Sequence, residues 1–135
     1  MLSNPTQAIR VLFITIASSE IGFGHLNRCI SIAATAIDRG IKPSFLLFGD
    51  DSANQFMHKT AYHFELYTDT NISRVIKNIG KESTQSYNLA ITDIAHPVFF
   101  KKQKNLEALF KAINTLAIRT AAIDSLGKES IAIQA

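Results

Sequence analysis

The chain has 135 residues, 47% of them hydrophobic and 19% charged, with a formal net charge of +3, which fits one globular domain of ordinary size. The charge is too small to indicate a nucleic-acid partner, and the longest apolar run is far shorter than the ~20 residues that a membrane span needs. A single cysteine excludes an internal disulfide, and the polar start lacks the apolar core of a signal peptide, so we expect a cytoplasmic protein.

The predicted elements alternate between strands and helices along the chain. Ile9–Ala17 is a nearly continuous apolar run, typical of a strand that is buried on both faces. A loop over Ser18–Gly24 follows, and apolar residues at three- and four-residue steps then predict a helix over His25–Arg39, with Gly40 as its C-terminal cap. The later strands are predicted over Ser44–Phe48, Tyr62–Tyr67, Leu89–Ile94 and Ile118–Ile123, and a sixth strand begins at Ile131–Ile133. The later helices are predicted over Ser52–Thr60, from about Ile72 to Lys81 with Thr70 or Asn71 as the cap, and over Lys104–Leu116.

This alternation predicts an α/β fold, namely a Rossmann-like, doubly wound parallel sheet with helices on both faces. We expect residues 1–8 to be a loose leader and residues 9–135 to form this single domain. Ligands of such sheets bind beyond the carboxyl ends of the strands, near the point where the strand order reverses. Several polar residues follow predicted strands and should lie on that edge: His25, Asp50, Asp51, Asp93 and Asp124.

The segment between the first strand and the first helix reads Gly22-Phe23-Gly24-His25-Leu26-Asn27-Arg28-Cys29. Two glycines permit a sharp turn and a close approach of a ligand, and the helix that follows presents the positive end of its dipole. Imidazole exchanges protons near neutral pH. We therefore interpret the segment as an active-site loop with His25 as the catalytic candidate. The alternative is a histidine that caps the helix through a backbone hydrogen bond.

Three further residues near this edge have two interpretations each. Arg28 lies one turn beyond His25, so it either holds a substrate oxygen or pairs with an acidic neighbour. Cys29 falls on the apolar face of the helix, and we interpret it as a small core residue rather than a nucleophile. Asp93 ends a predicted strand, where it either contacts a substrate or caps the next turn.

The same glycines have a second, less favoured interpretation, namely a binding site for a nucleotide cofactor. The dinucleotide-binding fingerprint needs a third glycine, and Asn27 occupies that position. Asp50 and Asp51 nevertheless end the second strand, where an acid could bind a ribose, so a dinucleotide-binding domain is kept as an alternative. A P-loop is excluded because no Gly-Lys-Ser/Thr follows the glycines.

The remaining histidines and lysines give little indication of a function. His58 and His63 have no partners at metal-ligand spacing, so we predict neither a metal nor a cofactor. Four lysines between residues 101 and 111 gather around one predicted helix. We interpret them as a solvated helix face, with a weak membrane-surface or anion-binding patch as the alternative.

As a whole, the segment from Ile21 to Cys29, with Ser31-Ile32-Ala33 behind it, resembles the Gly-x-Gly-His-x-x-Arg-Cys motif of the UDP-sugar hydrolase of pseudaminic acid synthesis and its spore-coat polysaccharide relatives. The resemblance is strong over residues 9–50 and only architectural beyond them. It implies the N-terminal domain of a GT-B fold, in which two Rossmann-like domains face a cleft. In that family the motif histidine is thought to activate water beside the anomeric carbon, and His25 matches it.

The resemblance also extends to the substrate-binding candidates. Gly22, Gly24 and Arg28 match motif positions, and Asp93 lies where the family also carries an aspartate. We interpret Asp93 as a contact to sugar hydroxyls, with a cap of the next turn as the alternative. The hydrolases usually continue with histidine and tyrosine, whereas Ile94 and Ala95 follow here. Further along, Asp124 matches the first member of a family acidic pair, and Ser125 replaces the second.

The implied function is that of the catalytic-histidine domain of a nucleotide-sugar hydrolase or glycosyltransferase in surface glycan biosynthesis. In the family a C-terminal domain holds most of the nucleotide, and this chain ends near the close of one domain. We therefore expect a UDP-sugar substrate and a second domain or second chain that completes the enzyme. The alternative is a non-catalytic module of a split GT-B protein that binds an acceptor or a partner.

Overall fold

The computed structural model describes residues 9–68, 77–78, 87–94 and 103–123. Five strands form one sheet: β1 (Arg10–Ala17), β2 (Lys42–Gly49), β3 (His63–Tyr67), β4 (Tyr87–Asp93) and β5 (Ala117–Ala122). The described helices are α1 (Gly24–Ile37), α2 (Asp51–His58) and α3 (Gln103–Leu116). No helix among these residues has the length and apolar character needed to cross a membrane.

The strand order is β3-β2-β1-β4-β5, and every neighbouring pair is parallel. The chain winds outward from β1 to β2 and β3 on one side, and β4 and β5 lie on the other side. The order therefore reverses between β1 and β4, which is the ligand-binding position of doubly wound sheets. The predicted Rossmann-like fold is confirmed.

The central strand β1 is buried on both faces. Seven of its eight residues are buried, and only Arg10 is exposed. Ile14 and Ile16 pack into the core on one face of the sheet, whereas Phe13 and Ala17 pack into the core on the other. The continuous apolar run therefore predicted this strand correctly, apart from Ile9, which lies before it and is 52% exposed.

Helices cover both faces of the sheet. On the face of Phe13, α1 and α2 contribute the buried residues Leu26, Cys29, Ala33, Ala53 and Met57. On the face of Ile14, α3 contributes Leu109, Phe110, Ile113 and Leu116. The three- and four-residue spacing of these apolar side chains directs one side of each helix toward the sheet.

The C-terminus of α1 has the glycine cap that the sequence predicted. Gly40 has a φ of 79°, in the left-handed region that favours glycine. Its N–H donates to the carbonyl of Ile37 at 2.9 Å, and the N–H of Ile41 donates to the carbonyl of Ala36 at 3.2 Å. These two bonds form a Schellman motif, which satisfies carbonyls at the helix end.

Most predicted boundaries differ from the observed ones by one to two residues, and sheet pairing explains the largest differences at strand ends. Strand β2 includes Lys42 and Pro43 because the β1–β2 register begins at Arg10 opposite Lys42. Pairing of β2 with β3 begins only at Ser44. Pro43, which lacks an N–H, thus lies beyond the end of the β3 ladder.

Four predictions lie outside the described residues. They are the leader over residues 1–8, the helix cap at Thr70 and Asn71, the acid Asp124, and the sixth strand over Ile131–Ile133. Of the helix predicted from Ile72 to Lys81, the structure describes residues 77 and 78, and both are helical.

Candidate active site

A tight turn joins β1 to α1. Ser18 and Gly22 form a short antiparallel bridge, in which the Gly22 N–H donates to the Ser18 carbonyl at 2.7 Å. The Ser18 hydroxyl accepts from the N–H of Ile21 at 3.0 Å. Gly22 has a φ of 91°, which a residue with a Cβ rarely adopts. The chain thus reverses within five residues, Ser18 to Gly22, and enters α1 at Gly24.

Only one of the two loop glycines is required by its backbone conformation. The positive φ of Gly22 accounts for glycine at that position. Gly24 is the exposed first residue of α1, and a Cβ built there meets nothing within 4 Å. Neither backbone conformation nor packing in this structure explains glycine at position 24.

The turn is anchored to β2 by Asp50, a contact that the sequence interpretation missed. The N–H and hydroxyl of Ser19 donate to Asp50 Oδ2 at 2.9 and 3.0 Å. The other oxygen of Asp50 accepts from the Ser52 hydroxyl and from the Ala53 N–H, so Asp50 is also the N-cap of α2. An aspartate immediately before a helix is a strong capping signal, which could have indicated this role.

The anchoring role of Asp50 weighs against a dinucleotide site. Each of the two carboxylate oxygens already accepts two hydrogen bonds from protein groups. This leaves little capacity to accept hydrogen bonds from ribose hydroxyls. Asp51 begins α2 and accepts from the Gln55 side chain at 2.7 Å. Both acids that follow β2 thus accept hydrogen bonds from protein groups.

Asp50 is expected to make stability depend on pH. Hydrogen bonds from the Ser52 hydroxyl and the Ser19 N–H hold the pKa of Asp50 well below its usual range. The contribution of Asp50 to the free energy of unfolding is therefore complete above its pKa in the unfolded chain, about 3.9. This contribution is lost as the pH falls toward the pKa in the folded chain. In urea unfolding, Asp50→Asn should be less stable than the unmodified chain at neutral pH, and the difference should shrink below about pH 4. A difference that stays constant with pH would contradict this role.

His25 and Asp93 meet at the carboxyl end of the neighbouring strands β1 and β4. Asp93 is the last residue of β4, opposite Thr15 of β1, and His25 is the second residue of α1. The ring Nδ1 of His25 lies 2.6 Å from Oδ1 of Asp93, although 68 residues separate them. The side chain of His25 is 20% exposed, whereas that of Asp93 is fully buried. The turn and the neighbouring strand thus bring a buried acid to a partly accessible imidazole.

Arg28 completes the cluster from the next turn of α1. Its Nε donates to Asp93 Oδ2 at 2.5 Å, and its Nη2 donates to Oδ1 at 2.7 Å. This bidentate contact is the favoured geometry between a guanidinium and a carboxylate. The hydrogen bond to Asp93 raises the pKa of Arg28. Of the two interpretations of Arg28, the structure supports pairing with an acidic neighbour.

The position of Asp93 differs from the direct substrate contact expected from the sequence. Its carboxylate is fully buried, and both oxygens accept from Arg28 or His25. The Thr15 hydroxyl donates to its backbone carbonyl at 2.9 Å. A buried carboxylate requires such partners. Asp93 therefore holds the two side chains of α1 rather than facing the solvent.

The contacts of Asp93 determine which nitrogen of His25 carries the hydrogen. A carboxylate oxygen only accepts, so Nδ1 must donate to Oδ1. In the neutral ring, Nε2 then carries the lone pair. This is the tautomer that a general base of the His–Asp type requires.

Cys29 is a core residue, as its position on the apolar face predicted. Its side chain is fully buried in the core that α1 forms with the sheet. Burial, with a further contribution from the negative charge of Asp93, raises the pKa of the thiol to about 12. The thiolate, which is the nucleophilic form, is therefore scarce at neutral pH.

Alkylation of Cys29 should report on unfolding. Because the thiol is both covered and protonated, iodoacetamide should modify the folded chain roughly 10³-fold more slowly than the chain in urea. Mass spectrometry over time measures both rates, and the single cysteine makes the result unambiguous. Comparable rates in the two states would show that Cys29 is accessible and reactive.

The remaining candidates lie away from this cluster. His58 packs edge-on against Phe64, and His63 is exposed on β3. Within the described ranges, no three His, Cys, Asp or Glu side chains are grouped as a metal site would require. Lys111 is exposed on α3, in agreement with a solvated helix face; the side chains of the other three lysines lie outside the described part.

Comparisons of the chain with protein-family profiles, with curated proteins and with solved structures find no match. The geometry of His25, Arg28 and Asp93 and the resemblance of the surrounding motif are therefore the observations that bear on function.

Proposed function

We propose that this chain is the catalytic-histidine domain of an enzyme that acts at the anomeric carbon of a UDP-sugar. The observation that carries the proposal is the hydrogen bond between His25 and the buried Asp93. It joins the first turn of α1 to the end of β4, at the reversal of strand order where doubly wound sheets bind ligands. The motif around His25 resembles that of a UDP-sugar hydrolase family.

The reaction suits an imidazole held in this way. Nε2 of His25 accepts a proton from water, or from an acceptor hydroxyl, as the oxygen attacks the anomeric carbon. The bond between that carbon and the UDP oxygen breaks, and UDP leaves with the electron pair. The products are the free or transferred sugar, UDP and a proton. Asp93 holds the ring in the tautomer that leaves the lone pair on Nε2, because its carboxylate accepts the Nδ1 hydrogen.

UDP is a stable anion, so its departure needs electrostatic stabilisation more than an acid. In the resembling family, a second Rossmann-like domain provides most of the nucleotide site. We therefore propose that a further domain or a partner chain contributes to nucleotide binding. The pathway that this reaction serves is, by the same resemblance, surface glycan biosynthesis in the cytoplasm.

The proposal is tested by incubating the full chain with UDP-hexoses and UDP-N-acetylhexosamines in heavy-oxygen water. Chromatography measures the release of UDP, and mass spectrometry locates the heavy oxygen. Attack at the anomeric carbon puts the label into the sugar and none into UDP. Label in the phosphate of UDP would contradict the proposal, because it requires attack at phosphorus.

Two other results would favour the alternatives. Failure to release UDP from any of these donors, combined with saturable binding to a second protein, indicates a non-catalytic module. Calorimetric binding of NAD or FAD indicates a dinucleotide-binding domain, against the hydrogen bonding of Asp50. Each of these outcomes would replace the proposed function.

A further inference from the structure

The buried carboxylate of Asp93 has two neighbours that can carry a positive charge, Arg28 and His25. We propose that Arg28 is the counter-ion of Asp93, so that His25 binds the same carboxylate as a neutral imidazole. Arg28 is then a positioning residue, which acts on the reaction through His25 without touching the substrate. The effect of this role of Arg28 on catalysis rests on the proposed function.

Arg28 contacts both oxygens of Asp93. Its Nε lies 2.5 Å from Oδ2, and its Nη2 lies 2.7 Å from Oδ1. A guanidinium stays protonated throughout the pH range of folded proteins, and the hydrogen bond to Asp93 raises the pKa of Arg28 further. One permanent positive charge therefore balances the one negative charge of the carboxylate.

His25 reaches Asp93 through one nitrogen only. Its Nδ1 lies 2.6 Å from Oδ1 of Asp93 and 3.5 Å from Nη2 of Arg28. A protonated ring would place a second positive charge beside the guanidinium, and like charges this close disfavour each other. A neutral ring that donates its Nδ1 hydrogen to Oδ1 avoids this repulsion and keeps the lone pair on Nε2.

Two other described groups near the pair, Cys29 and Thr15, leave this charge balance unchanged. Cys29 on α1 is a neutral thiol, because burial raises its pKa to about 12. Thr15 on β1 donates its hydroxyl to the backbone carbonyl of Asp93, not to the carboxylate. Of the described groups, Arg28 and Asp93 are therefore the charged ones in contact with the His25 ring.

Removal of the Arg28 charge has a specific consequence. The fully buried carboxylate of Asp93 then lacks its permanent partner, and His25 is the nearest group that can replace it. His25 takes up a proton and becomes the counter-ion. Both ring nitrogens then carry hydrogen, so no lone pair is left to accept a proton from water. Arg28→Gln should thus disable His25 without removing it.

Nitrogen NMR of the full chain, with labelled histidine side chains and no substrate, tests this role at neutral pH. The signal of His25 is identified by its absence in His25→Gln. We expect a neutral ring protonated on Nδ1 in the unmodified chain. In Arg28→Gln, the ratio of charged to neutral ring should rise about tenfold or more. Arg28→Lys retains a positive charge and should restore a mostly neutral ring.

Arg39→Gln is the matched control, because Arg39 is an exposed arginine just after α1 and should leave the His25 signal unchanged. Circular dichroism establishes that each variant is folded. A neutral His25 ring in folded Arg28→Gln would overturn the proposal. A charged ring in the unmodified chain at neutral pH would also overturn it, even if the Gln variant did not fold.

The NMR measurement separates this role from the proposed function, because it needs no turnover. A charged ring in Arg28→Gln, with heavy oxygen from water found in the phosphate of UDP, upholds the role of Arg28 and contradicts the proposed function. A neutral ring in Arg28→Gln, with turnover that depends on His25, contradicts the role of Arg28 and leaves the proposed function intact.

Discussion

Replacing His25 with alanine is expected to reduce UDP-sugar turnover by about 10² to 10⁴-fold, the usual contribution of a general base. Asp93 fixes the ring so that Nε2 carries the lone pair, and water alone offers no base in this position. The loss should appear mainly in kcat, because the imidazole acts on the attacking oxygen and not on the nucleotide. Release of UDP from the full chain, measured at saturating donor, checks this expectation.

His63→Ala is the matched control for this substitution. His63 is an exposed histidine on β3, at the far edge of the sheet from the His25–Asp93 pair. Its removal should leave turnover unchanged. Turnover by His25→Ala within a few-fold of the unmodified chain would show that the imidazole is not the base.

Gly49→Ala is expected to cause the largest loss of stability among alanine substitutions of the four described glycines. Gly49 ends β2 directly opposite Ala17 of β1. A Cβ at this position would lie 2.0 Å from the backbone oxygen of Ala17 and 3.1 Å from the Cβ of Ala53. A backbone oxygen in the central strand cannot rotate away, so the strands themselves must separate. We expect the free energy of unfolding to fall by about 3 kcal/mol or more.

Gly24→Ala provides the control with the same chemical change. A Cβ on Gly24 meets nothing within 4 Å, and the residue lies in a helix. Alanine there should leave stability unchanged or raise it by roughly 0.5 kcal/mol. Urea unfolding of the two variants gives the comparison. Equal stabilities of Gly49→Ala and Gly24→Ala would mean that the β1–β2 contact is not as close as described.

The fold was largely predictable because its central features are local in the sequence. The apolar run before Ser18 predicted β1, the helical period after Gly24 predicted α1, and Gly40 predicted the helix end. Each signal depends on residues within one element, which is why it survives without knowledge of the tertiary structure. The strand order was not predictable in this way, because it depends on which elements pair across the sheet.

The sequence indicated the three members of this candidate cluster, but it did not indicate the contacts between them. His25, Arg28 and Asp93 were each identified from their place at strand and helix ends. Their mutual contacts span 65 to 68 residues and follow from the adjacency of β1 and β4. The same adjacency buries Asp93, which turned an expected substrate contact into an internal one.

Asp50 shows the opposite case, in which a ligand-binding interpretation was weighed for a residue whose observed contacts are local. Its hydrogen bonds to Ser19 and Ser52 stabilise the turn and the start of α2. The position of an acid at a strand end is common to ribose binding and to helix capping. The turn that carries His25 therefore depends on a residue that takes no part in the proposed chemistry.

We propose that Asp93 serves the reaction through His25, and a double-mutant cycle on kcat/KM is the experiment that decides this. His25→Ala, Asp93→Asn and the double variant are compared with the unmodified chain, after circular dichroism has shown that each is folded. We predict that Asp93→Asn slows turnover when His25 is present and has almost no further effect in His25→Ala. Equal factors for Asp93→Asn in both backgrounds would contradict this, because the two side chains would then act independently.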